Sequence, residues 1–175
     1  MYRKRLLVLC VLAATLGCSC AKIETELPIK SNVDTQTSFD EEKSSQIIAI
    51  SLEAMKEQAS NPSETKLEKV KQVMQRLEEQ GYAAVDSKNQ INMVCADQAI
   101  DFCQAVEEKQ QDDFMLTVIS DTLKWTIYDF HCEDGTVTVA RNIYQYEDGN
   151  MQLEDSAVYT ALDWKYTAEG YIMFS

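Results

Sequence analysis

Apolar residues follow three successive rhythms along this chain: unbroken from Leu6 to Ala14, helically spaced between residues 38 and 109, and largely alternating from Phe114 onward. Ser38-Phe39-Asp40-Glu41 reads as a capping box, in which a serine oxygen takes a free N–H and a glutamate reaches back. Ile48, Leu52 and Met55 follow at i, i+4, i+7, predicting a first helix to about Gln58. Asn61-Pro62-Ser63-Glu64 predicts the start of a second helix, with asparagine as cap and proline at N1. Leu67, Val70, Val73, Met74 and Leu77 are expected to form its buried face, and Gly81 stands where a left-handed terminating residue is wanted. The pair reads as a helical hairpin. Short strands are expected at Tyr82–Asp86 and Ile91–Cys95, around the polar turn Ser87–Gln90. A third helix over 96–109 follows from Ala99, Phe102, Cys103 and Val106.

Strand chemistry takes over after that. Phe114–Ile119 is the near-continuous apolar run of a central strand, and Leu123, Trp125 and Ile127 alternate with polar neighbours. Asp134-Gly135 and Asp148-Gly149 predict tight hairpins, because a type I′ turn needs positive φ at both central residues. Val137, Val139 and Ile143 lie on the return strand between them. Val158, Leu162, Trp164 and Tyr166 read as one face of a long strand, with Tyr159 and Ala161 on the other. Glu169-Gly170 then turns into Tyr171–Phe174. The expected fold is α+β: a helical hairpin and a third helix packed on an antiparallel, curved meander of four to six strands. The sequence stops at Phe174-Ser175 without a polar tail, so either that strand is tucked into the sheet or the protein continues further.

The unbroken run at the start has a different meaning. Arg3-Lys4-Arg5 precedes it, and small residues with two cysteines follow, which is the layout of a secretory signal. Leu6–Ala21 would span about 24 Å as a helix, against roughly 30 Å of bilayer hydrocarbon, so a cleaved leader is expected rather than a spanning anchor. Residues 1–17 are read as the leader, 18–37 as a polar linker reaching about 20–25 Å, and 38–175 as one globular domain. Loss of the leader's three cations would leave 13 basic against 29 acidic side chains, a net charge of −16. Such a surface repels phosphate backbones and anionic headgroups, and no nucleic-acid partner is expected.

The segment Leu16-Gly17-Cys18 resembles the lipobox of bacterial lipoproteins, many of them small and uncharacterised. That resemblance implies cleavage before Cys18 and a diacylglyceryl group on its thiol, with Cys20 as second choice. Thr15 stands at −3, where the family carries leucine. The competing reading is a secreted protein cut after Ala21, with Ser19-Cys20-Ala21 as the small-x-small site. Two acyl chains hold a protein at a membrane for long times, so the lipoprotein reading implies anchoring on the extracytoplasmic face. The order helix, helix, strand, strand, helix and then long strands resembles the NTF2-like cone, in topology alone. That resemblance implies a sheet wrapped on a helix, and in its enzymes an Asp and a His that move protons inside the cone.

Here the pair to test is Asp129 and His131, two apart on one strand and so on one face. Tyr128 and Phe130, on the other face, are the expected core side, which leaves Asp129 and His131 towards solvent. Neither a nucleophile motif nor a phosphate-cradling glycine loop is present, so no catalytic residue is assigned beyond that pair and no cofactor is expected. No cysteine pair has C-x-x-C spacing and no acidic loop matches an EF-hand, so no metal is expected. Cys95, Cys103 and Cys132 remain in the domain. One disulfide, with Cys103 to Cys132 the better geometry, stands beside the alternative of three buried thiols. Tyr128, Tyr144, Tyr146, Tyr159, Trp164 and Tyr166 supply either a stacking face or core packing. The expected role is non-catalytic binding or scaffolding of a protein or cell-envelope component. Alternatives are an NTF2-like ligand binder or enzyme using Asp129 and His131, or an accessory lipoprotein of a secretion, conjugation or transport assembly.

Overall fold

The computed structural model describes residues 40–58, 65–88 and 92–161, and the backbone of 164–166 and 172–174. Three helices, α1 (Glu41–Gln58), α2 (Lys66–Glu79) and α3 (Ala96–Glu107), accompany a five-stranded sheet. Its strands are β1 (Ala83–Asp86), β2 (Asp112–Ile119), β3 (Lys124–Glu133), β4 (Thr136–Glu147) and β5 (Asn150–Thr160), in that spatial order. A separate two-stranded ribbon joins β6 (Trp164–Tyr166) to β7 (Ile172–Phe174). The α+β architecture expected from the sequence is therefore present.

Two helix starts shift in detail. Ser38 and Asn61–Glu64 lie outside the described residues, and the helix starts seen are Asp40 and Thr65. Asp40 Oδ1 accepts the Lys43 N–H at 2.9 Å. Thr65 and Glu68 form a complete capping box, the glutamate taking the Thr65 N–H at 2.7 Å. At the far end of α2, Gly81 at φ +79° sends its N–H to Glu78 and lets Tyr82 bond back to Leu77, the double closure of a Schellman motif.

Two strand boundaries also move. In the expected Ile91–Cys95 strand, Ile91 lies outside the described residues, and Val94 makes a single antiparallel bridge to Ala84. The long last strand ends at Thr160, with its continuation in β6. The sheet is mixed, because β1 runs parallel to β2 through the α3 crossover while β2 to β5 form an antiparallel meander.

Helices cover both faces of this sheet, which explains the near-continuous apolar runs of β1 and β2. On one face Phe102 of α3 packs on Phe114 and Phe130, ring centroids 5.8 and 6.0 Å away, with Leu116, Cys132, Val137 and Val139 beside them. On the other face α1 and α2 bury Ile47, Met55, Val70, Val73 and Leu77 against Ile119, Trp125 and Ile127, while Leu67, expected on the buried face of α2, stands exposed in its first turn. Each fully buried side chain of this size contributes about 1.5–3 kcal/mol. The buried stripe of α1 runs through Ser44, Ile47, Ser51, Ala54, Met55 and Gln58, with Ile48 and Leu52 only half-buried. It is rotated from the expected stripe because small residues let the helix approach closely. Both Asp-Gly hairpins form as expected, with Asp134, Gly135, Asp148 and Gly149 all at positive φ.

Candidate functional site

Alternation along β3 puts Asp129 and His131 on the face that carries the α1–α2 hairpin, while Tyr128 and Phe130 face α3. Asp129 is half-buried, and its Oδ2 accepts the backbone N–H of Asp40 at 2.8 Å, where α1 begins. Burial pushes its carboxyl above the ordinary range, against the lowering effect of that N–H; the nearby Asp113 and Asp40 charges add to the rise. One of its oxygens thus holds a helix start.

His131 pairs elsewhere. Antiparallel register places Asp113 of β2 directly opposite, and His131 Nδ1 lies 2.6 Å from Asp113 Oδ1. A carboxylate only accepts, so Nδ1 carries the hydrogen. Asp113 is exposed at 58 % of its side chain, against 27 % for His131, so this pair sits at the rim of the sheet. The carboxylate that orients the imidazole is therefore Asp113 rather than Asp129. Nothing in the sequence pattern marked Asp113, because cross-strand register depends on where the turn before Lys124 falls.

The cysteines divide by depth. Cys103 and Cys132 are buried free thiols in the α3-side cluster, and Cys95 is a half-buried one at the start of α3. Burial lifts the Cys103 thiol to about 12, far from a nucleophile's range. Cys18 and Cys20 lie outside the described residues. Among those described, no group of three or more His, Cys, Asp or Glu side chains is placed to hold a metal.

The tyrosines do not form one stacking surface. Tyr128 and Tyr159 pack against the α3-side cluster, whereas Tyr144 and Tyr146 pack on the α1–α2 side, Tyr146 6.3 Å from Trp125. The side chains of Trp164 and Tyr166 lie outside the described residues.

Two concave regions are polar and shallow. One, of about 500 Å³, runs between α1 and α2, lined by Glu57, Gln58, Gln72, Gln75, Arg76 and Glu79. Arg76 is already clamped there by Glu57 at 2.8 Å and Glu79 at 3.5 Å. The other, of about 320 Å³, lies beside the end of α3.

What the sheet does present is an edge. β5 pairs only with β4 among the described residues, and along it Leu153 and Val158 remain 55 % and 59 % exposed. The β4–β5 register slips at Ile143/Tyr144, so that Ile143 opposes Asp155, Tyr144 opposes Leu153, and Glu154 is the extra residue of a bulge. Glu154 reaches over β4 to Lys124 of β3 at 2.6 Å, and Asp155 pairs with Arg141.

These features define a three-layered α+β domain with a mixed sheet, in which Asp129 and His131 make structural contacts and, among the described residues, β5 forms an open edge. The chain belongs to DUF6070, a family of unknown function, which it matches over residues 37–175. No curated protein and no solved structure matches it.

Proposed function

We propose that this protein is a lipid-anchored extracytoplasmic module that binds a protein or cell-envelope component without catalysing a reaction. The observation that carries the reading is the leader, in which Arg3-Lys4-Arg5, Leu6–Ala14 and Gly17-Cys18 stand in the order a lipoprotein requires. Support comes from spacing, since the family match begins at residue 37 and the polar stretch from Ser19 to there has linker composition. Two acyl chains on Cys18 would fix the domain to the membrane, and a linker of this length lets it clear the headgroups. The preference for binding over catalysis rests on Asp129, whose carboxylate is spent on α1, and on His131, whose partner is an exposed carboxylate at the rim.

Cells grown with radiolabelled palmitate test the anchor. Label is expected on the wild-type protein and on a Cys20→Ala variant, and it is expected to vanish with Cys18→Ala. A mature protein starting at Lys22 without lipid would overturn the reading in favour of plain secretion.

A further inference from the structure

From the β5 edge we infer a docking site for an extended, basic segment of a partner protein, which adds to the sheet as a sixth strand. The inference concerns the folded domain and holds whether or not Cys18 is lipidated. An edge strand offers a row of unpaired N–H and C=O groups, and strand addition takes its affinity from them and its specificity from alternate side chains. β5 runs for 11 residues, long for an edge.

The bulge makes this edge selective. Leu153 and Val158 are five positions apart and would point to opposite faces of a regular strand. With Glu154 as the extra residue they oppose Tyr144 and Ala140, four apart on β4, and so share one face. Met151, Ser156 and Thr160 fall on that face too, so its apolar members are Met151, Leu153 and Val158. An incoming strand with apolar residues at every second position meets a matching row there.

Charge chooses the partner. Mid-strand Glu154 and Asp155 are ion-paired with Lys124 and Arg141, whereas among the described residues no basic side chain pairs with Glu147 or Asp148 at the neighbouring turn, so this edge keeps a net negative charge. A second copy would set two edges of net negative charge against each other, which is destabilising. Lysine or arginine opposite these carboxylates is favourable.

Hydrogen–deuterium exchange on the full-length protein in detergent tests the site. The probe is a synthetic peptide of alternating lysine and valine, about as long as β5. At ten times its dissociation constant, β5 amides are expected to exchange roughly tenfold more slowly, and those of α2 unchanged. Leu153→Lys with Val158→Lys, both at exposed positions, is expected to abolish the protection, while Leu67→Lys on α2 leaves it intact. A glutamate–valine peptide that protects β5 equally would overturn the proposal, as would protection mapping elsewhere. Two further results also overturn it: protection that grows with protein concentration alone, meaning a second copy, and protection already complete in dilute protein, meaning a segment of the same chain.

Discussion

Asp129 of β3 takes the backbone N–H of Asp40 at 2.8 Å across 89 positions of chain, so the start of α1 is fastened to the middle of the sheet by one carboxylate oxygen. Both partners are acidic, and the bond is made by the main chain of one and the side chain of the other.

The pair separates charge from hydrogen bonding. Asp129→Asn keeps an acceptor oxygen and removes a half-buried charge, so stability at neutral pH is expected to be unchanged or higher. Asp129→Ala leaves the N–H without its partner and is expected to cost about 1 kcal/mol, a few degrees in Tm. Because the Asp129 carboxyl is held above its ordinary range, the folded chain binds that proton more tightly than the unfolded one. Its contribution is therefore greatest in acid and falls as pH rises through the folded value. Thermal melts across pH are expected to show wild type losing ground to Asp129→Asn in that direction. Parallel curves would refute the assignment.

Two glycines with almost the same φ distinguish backbone strain from crowding. Gly149 at +82° faces open space, whereas a Cβ on Gly135 at +80° would lie 3.1 Å from Lys109 Cγ. Gly149→Ala is expected to cost about 1–2 kcal/mol from conformation alone. Gly135→Ala is expected to cost more in denaturant titration, since the Lys109 side chain must also give way by a few tenths of an ångström.

Thr117 is fully buried on the α1–α2 side, and its hydroxyl has no hydrogen-bond partner among the described residues. Thr117→Val removes an orphaned polar atom at nearly constant shape. A gain of about 1 kcal/mol is expected, read as a raised denaturation midpoint. A loss would mean that the hydroxyl is in use.

Of the three domain cysteines, Cys95 is expected to be modified first by native alkylation at mildly alkaline pH. Cys103 and Cys132 are expected to react only after denaturation, Cys103 being both buried and lifted to about 12. Recovery of a Cys103–Cys132 disulfide peptide under non-reducing conditions would contradict the free thiols.

Local chemistry was readable where a few adjacent residues decide the outcome. Asp134-Gly135 and Asp148-Gly149 had to be type I′ turns, and Gly81 had to close α2. Pairing between distant segments was not. That His131 meets Asp113, that Asp129 caps α1, and that Glu154 bulges out of β5 all depend on register. Nor does an apolar run say which face is covered by which helix. Ile48, Leu52 and Met55 made a plausible stripe for α1, yet α1 touches both α2 and the sheet, so its buried arc centres on Ile47 and Ser51 instead. The edge at β5 was hidden for the same reason, since the face shared by Leu153 and Val158 emerges only when the bulge at Glu154 is counted.

Attachment of Asp40 to a strand 89 residues downstream sets an order of assembly during synthesis. Among the described elements α1 and α2 come first, and their sticky sides partly cover one another but stay open on the sheet side until Trp125 and Ile127 of β3 arrive. Whatever escorts the nascent chain has to shield Ile47, Val70, Val73 and Leu77 through that delay. Slowing elongation before β3 would lengthen the exposure and raise the risk of clumping.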